Sequence, residues 1–202
     1  RKMATCNLAL IYGQNMKPKQ PQQPPAGQFF PLIFPEVFSA DEREAILQIA
    51  QASALKQGKV AANGTTTVNE DIRRSAITRV DVKKDQWLMK KLLTVAQNAN
   101  ARFQFDLTNG MLEPAQVAAY DGKDLGQYDW HLDIGPHMLP RKIIISVPLN
   151  APNEYAGGEL QFNYGKSVVQ EQVAGSAIVF PSYVLHKVNP VTQGSRSVSY
   201  TQ

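Results

Sequence analysis

At 202 residues, with 43% hydrophobic and 19% charged side chains, the chain suits one globular domain with a sizeable core. Its net charge of +4 arises from 21 basic residues scattered without a run, so composition gives no reason to expect a nucleic-acid partner. No apolar stretch approaches the roughly 20 residues of a membrane span, and the lone Cys6 excludes an internal disulfide framework, which fits a reducing, cytoplasmic setting.

Residues 1–28 read as a flexible tail, with the folded domain spanning 29–202. Asn7 to Tyr12, behind Arg1 and Lys2, mimics a signal peptide but is too short and lacks a small-residue cleavage pattern, and Met3 is an alternative start. Lys17 to Ala26 is rich in proline and glutamine and has almost nothing apolar to pack. The first core-like run is Phe29 to Phe34.

Ser39 followed by Glu42 forms a capping-box pattern, and Ile46, Ile49 and Ala50 recur at helical spacing, predicting a helix from about Ala40 to Ala54. Gly58 to Thr67 reads as a Gly/Asn/Thr-rich loop and Ser75 to Val82 as a strand. A second helix is predicted from about Asp85 to Ala99, with Trp87, Leu88, Leu92, Leu93 and Val95 on its apolar side.

Beyond Asn100 the pattern changes to short strands, at Phe103–Leu107, Glu113–Tyr120, Tyr128–Asp133, Ile143–Leu149, Glu159–Tyr164, Ser176–Phe180 and Arg196–Tyr200. Glycine-centred turn signals such as Asn109-Gly110, Asp121-Gly122 and Gly157-Gly158 punctuate them. Short strands at this spacing after two helices predict a mainly β fold, a sandwich or jelly-roll barrel buttressed by helices.

The chemistry concentrates at Tyr128-Asp129-Trp130-His131-Leu132-Asp133. On an extended segment His131 and Asp133 share a face, roughly 6.5–7 Å apart along the strand, so both can lean onto one metal ion. On a helix they would diverge. A third ligand is required, and His186, after an apolar strand and the Pro181-Ser182 turn, is the natural candidate. His137 competes, but Gly135-Pro136 breaks the strand before it. Two histidines and a carboxylate with open positions form the facial triad of non-haem iron oxygenases. Zinc also takes such donors, although the histidine pair four residues apart common in zinc hydrolases is absent. Arg196, ten residues after His186, offers a fork suited to a carboxylate several ångströms from the metal.

These pieces together resemble the Fe(II)/2-oxoglutarate-dependent dioxygenases, in the prolyl 4-hydroxylase-like, PKHD-type branch. The resemblance rests on Trp130-His131-Leu132-Asp133, on Tyr155-Ala156-Gly157-Gly158-Glu159-Leu160, on the run from Val179 through His186 to Val191, and on Gly194-Ser195-Arg196. It extends from about Phe34 to Tyr200 and implies a double-stranded β-helix, a cupin-like jelly roll with helices on one sheet. It further implies His131, Asp133 and His186 as iron ligands and Arg196 as partner of the cosubstrate's distal carboxylate. Tyr120, or the nearby Tyr128, would hydrogen-bond that cosubstrate. Fe(II), 2-oxoglutarate and dioxygen are the implied cofactors, with ascorbate as an accessory.

Asp133 as a ligand leaves no room for a halide, so the resemblance implies hydroxylation, of a prolyl or other residue in a peptide or protein. A free amino acid, another small molecule or a nucleobase is the alternative substrate. An inactive jelly-roll binding module would have lost a ligand or the arginine, and neither is lost. Val198 departs from relatives that carry a serine two residues past the arginine. The Gly58–Asn69 stretch falls where relatives often place a substrate-covering loop.

Overall fold

The computed structural model describes residues 31–62, 65–107, 113–135 and 140–201. The expected tail over residues 1–28 and His137 lie outside them. In chain order the elements are β1 (Leu32–Phe34), α1 (Ala40–Ala52), β2 (Lys56–Gln57), β3 (Val60–Ala62), β4 (Thr65–Thr67), β5 (Arg73–Arg74), β6 (Ala76–Arg79), α2 (Gln86–Phe103) and β7 (Gln116–Asp121). There follow β8 (Gln127–His131), β9 (Ile143–Pro148), β10 (Tyr155–Gly157), β11 (Leu160–Asn163), β12 (Ser167–Gln170), β13 (Ala177–Pro181), β14 (Leu185–Val188) and β15 (Val191–Thr201).

The strands form two layers of a jelly roll. The larger sheet runs β1-β13-β9-β15-β7-β6-β2, with β10 added on β15, and the smaller runs β12-β11-β14-β8-β5. Residue alternation divides the larger sheet's side chains between two cores. Ile143, Ile145 and Val147 of β9, with Ala177 and Val179 of β13, meet the helices, burying Leu88, Leu92 and Val95 of α2 and Ile46 of α1. Ile144, Ile178, Phe180 and Val198 point the other way, towards Leu160, Phe162 and Val188 of the smaller sheet. This explains why β9 is buried along its whole length and apolar except for Ser146: both its faces are covered.

Helix α1 starts where the capping box predicts. Ser39 Oγ accepts from the Glu42 N–H, and Glu42 returns the bond to the Ser39 N–H at 2.8 Å. Helix α2 runs four residues past its predicted end, to Phe103, and the rest of the strand expected over Phe103–Leu107 is irregular. The reason lies in Asn100, whose side chain donates to the Phe105 carbonyl at 2.8 Å and accepts from the Phe105 N–H at 2.9 Å. With both backbone groups of residue 105 held, no ladder forms, and the chain leaves the helix through a left-handed Gln104.

The Gly58–Thr67 stretch is likewise not wholly loop. Val60–Ala62 pairs antiparallel with Thr65–Thr67, the β-branched threonines favouring extension. Strands β2, β5, β10, β12 and β14 have no counterpart in the sequence reading.

Candidate active site

The cavity between the sheets collects the chemistry-bearing residues, beginning at the β8–β14 pair. His131 stands directly opposite His186 in the ladder, whereas the next paired residues are Tyr128 and Val188. Strand β8 thus carries one residue more than its partner, a β-bulge. In a regular strand, residues 128 and 131 would face opposite ways. The bulge turns them together, and the Tyr128 and His131 rings stack with centroids 3.4 Å apart.

Each imidazole is held through Nδ1, to the Asp129 carbonyl at 2.7 Å for His131 and to the Val184 carbonyl at 2.8 Å for His186. An Nδ1–H donating to a carbonyl leaves Nε2 as the lone-pair nitrogen, the arrangement a metal-binding histidine needs. Asp133 sits just past the end of β8, anchored by its N–H to the Ser182 carbonyl at 3.0 Å. Its Oδ2 lies 3.4 Å from His186 Nε2. One ligand atom from each of His131, Asp133 and His186 falls within 4.8 Å of the others. That spacing admits a single ion at the roughly 2.0–2.2 Å distances of nitrogen and oxygen ligands.

Protonation states suit the same purpose. Burial, reinforced by neighbouring His186, pushes the His131 imidazole down to about 3, so it is neutral at physiological pH. Burial works to raise the Asp133 carboxyl, but the His186 hydrogen bond and the neighbouring His186, His131 and Arg141 side chains outweigh it and hold the group low. Arg141 also donates to the Asp133 carbonyl at 3.4 Å and forms an ion pair with Glu113.

Arg196, on β15, is 2% exposed, and its guanidinium carbon lies 5.3 Å from the Tyr120 ring centroid. Its Nε and Nη2 both donate to Gln172 Oε1, at 3.1 and 2.6 Å, while Gln172 Nε2 donates to the Gly158 carbonyl at 3.2 Å. Gly158 has φ +70°, and a Cβ there would stand 2.8 Å from Arg196 Cδ. What remains is Arg196 Nη1, buried and without a hydrogen-bond partner. A buried charged donor left unpaired is costly, and a carboxylate entering the cavity would satisfy it. Tyr120 thus lies beside the arginine and Tyr128 beside the histidines, and both line one cavity of about 630 Å³ with the triad.

Two participants escaped the sequence reading. Gln172 lies in an irregular stretch with no periodic signal. Arg73, on β5, is 5% exposed, packs its guanidinium carbon 4.5 Å from the Tyr128 ring centroid and lines the same cavity.

Residues 115–201 match the family model for the 2OG-Fe(II) oxygenase superfamily. That stretch carries His131, Asp133, His186 and Arg196 together. Among relatives of this oxygenase, a PKHD-type hydroxylase of Colwellia psychrerythraea is 27% identical over 173 residues, covering 83% of this chain and 74% of that protein. PKHD-type hydroxylase NE2125 of Nitrosomonas europaea is 32% identical over 117 residues, 54% of this chain and 51% of that protein. Among solved structures, a Pseudomonas putida prolyl-4-hydroxylase superposes with a TM-score of 0.62 at 22% identity, covering 84% of this chain and 89% of that one. A Trichoplax adhaerens prolyl hydroxylase, solved with a hypoxia inducible factor peptide fragment, superposes with a TM-score of 0.65 at 20% identity, covering 83% and 80%. The chain is thus similar in sequence to PKHD-type hydroxylases and shares its jelly-roll fold with the prolyl hydroxylases. That likeness implies Fe(II), 2-oxoglutarate and dioxygen, and the donors fit them: two imidazoles held through Nδ1 and a carboxylate for the metal, the unsatisfied Arg196 Nη1 for the cosubstrate.

Proposed function

We propose that this oxygenase hydroxylates a prolyl or other residue of a peptide or protein, oxidising 2-oxoglutarate to succinate and CO2 as one oxygen atom enters a substrate C–H bond. His131, Asp133 and His186 would hold Fe(II), and Arg196, which lies beside Tyr120, would pair with the distal carboxylate of 2-oxoglutarate. Iron bound there supplies the activation of dioxygen, for which the cosubstrate provides the electrons.

The chain's own residues do the positioning. The Nδ1 hydrogen bonds orient both imidazoles, Arg141 steadies the backbone of Asp133, and Gln172 fixes the arginine. The observation that carries the reading is the convergence of three ligand atoms and one unpartnered buried guanidinium nitrogen in a single cavity. The Trichoplax adhaerens prolyl hydroxylase, solved with a peptide fragment, supports a peptide or protein as the acceptor over a free small molecule.

The test is succinate release from 2-oxoglutarate by the Fe(II)-loaded protein, with proline-containing peptides set against a panel of amino acids and nucleobases. Peptide-stimulated, iron-dependent succinate formation is expected, with His131→Ala lowering bound metal and turnover at least tenfold. Turnover that survives His131→Ala unchanged sinks the metal assignment, and coupling only to small molecules sinks the peptide assignment. Omitting ascorbate from the same assay decides whether it is needed.

A further inference from the structure

Six basic side chains line the cavity, Lys56, Lys59, Arg73, Arg79, Arg141 and Arg196, against two carboxylates, Glu113 and Asp133. Glu113 is engaged by Arg141, and Asp133 belongs to the triad. Every one of the chain's 17 Asp and Glu side chains lies among the described residues, and none forms an ion pair with Lys56, Lys59, Arg73 or Arg79. If 2-oxoglutarate satisfies Arg196, as proposed above, four cations on one side of the cavity still have no countercharge.

Arg73 is the informative one, because the other three are exposed and solvated. Its Nε donates to Ser75 Oγ at 2.8 Å, Nη1 to the Lys59 carbonyl at 3.4 Å and Nη2 to the Tyr200 hydroxyl at 3.3 Å. All three acceptors are neutral, and a guanidinium has five N–H groups, so donors remain for a ligand. Burial works against its charge, yet the surrounding Tyr120, Tyr200 and Tyr128 outweigh that and keep the group cationic. A fork-shaped buried cation with neutral supports suits a carboxylate, which it can bind through paired hydrogen bonds. The site is also built for it: a Cβ at Gly58 would stand 2.6 Å from Arg73 Nε, so only glycine leaves the side chain its place.

Its position relative to the metal site sets what the carboxylate belongs to. Arg73 stacks on Tyr128, and Tyr128 stacks on His131. The guanidinium is thus separated from a metal ligand by one aromatic layer, a reach of about two residues of extended peptide at roughly 3.3 Å each. Resting on the hydroxylase reading, we propose that the substrate is an acidic peptide segment, whose Asp or Glu side chain close to the hydroxylated residue pairs with Arg73 while Lys56, Lys59 and Arg79 attract it electrostatically.

The experiment uses the protein loaded with Mn(II) and 2-oxoglutarate and pairs of fluorescent proline-containing peptides, one glutamate-rich and one with glutamine at every glutamate. Anisotropy is read at low and high salt. Loading of each variant is measured first: failure to bind 2-oxoglutarate in the parent protein counts against the hydroxylase reading, whereas normal loading isolates the peptide site.

The acidic peptide is expected to bind at least tenfold more tightly than its amide twin. Arg73→Gln should shrink that ratio to about twofold, and Arg73→Lys, which keeps the charge but loses the fork, should restore only part of it, a graded rescue that a purely structural arginine would not show. Should Arg73→Gln fail to fold, the peptide ratio in the parent protein and in Lys59→Gln/Arg79→Gln carries the test. Equal affinities, a preference undiminished in Arg73→Gln, no binding of either peptide, or tighter binding of free glutamate or a single-stranded oligonucleotide each overturns the proposal.

Discussion

Arg196 and Arg73 are both almost wholly buried, both line the same cavity, and both occupy space that a glycine, Gly158 or Gly58, leaves open. They differ in what holds them. Arg196 projects from an interior strand of the larger sheet and is gripped on two nitrogens by one side chain, Gln172, so that one nitrogen, Nη1, is left without a partner. Arg73 projects from a two-residue strand at the edge of the smaller sheet and is held at three nitrogens by three separate neutral groups. The first lies within the 115–201 stretch that matches the superfamily, and the second lies outside it. The difference suggests a division of labour: a rigid arginine for a cosubstrate that never varies, and an edge-mounted one for the substrate that distinguishes one hydroxylase from another.

The largest expected effect comes from removing the rigid member. Arg196→Leu deletes a charge-assisted pair with the cosubstrate, a loss of about 3 kcal/mol or on the order of a hundredfold in 2-oxoglutarate affinity. Calorimetric titration of 2-oxoglutarate into the Mn(II)-loaded variant reads it directly, with metal affinity as the internal control. A change below threefold would mean that the cosubstrate's distal carboxylate sits elsewhere, and the contrast between the arginines would collapse.

A milder change addresses the grip itself. Gln172→Leu keeps the Arg196 charge but removes the acceptor that fixes its direction, and about 1.4 kcal/mol, roughly tenfold in cosubstrate affinity, is expected. If Gln172 merely packs, melting temperature moves and affinity does not. Such a result would place Arg196 and Arg73 on the same footing, each held by diffuse contacts.

The two arginines also mark how far the sequence could be read. His131, Asp133, His186 and Arg196 stand out because their spacing and order within the second half of the chain are local properties, and the capping box of α1 is legible for the same reason. The structure brings all four to one cavity. It also shows why the strand argument for His131 and Asp133 is incomplete: Asp133 lies past the strand end, and the bulge between residues 128 and 131 does the aiming. A bulge is a mismatch between two strands, which no single strand announces.

The Arg73–Tyr200 contact joins residues 127 apart, and the Arg196–Gln172 pair spans 24 residues through a loop. Neither has a periodic signature. The missed strand β14 has only four residues and carries His186 itself, so its polar middle hid it from any apolar pattern.

The smallest expected effect separates burial from charge within the Arg73 wall. Lys59 is exposed, and its backbone carbonyl, not its ammonium, supports Arg73. Lys59→Gln therefore removes one solvated charge while leaving that carbonyl in place. Exposed pairs contribute about 0.2–1 kcal/mol and are screened over a Debye length of about 10 Å at 0.1 M salt, so affinity for the glutamate-rich peptide should fall about threefold or less. The loss should vanish at about 1 M salt, where that length shrinks to about 3 Å. The Arg73→Gln deficit should persist in part under the same conditions, because a buried pair is screened much less. Two deficits that fade together with salt would show that Arg73 acts only through the general field of the wall, and its hydrogen-bonding fork would then have no part in choosing the substrate.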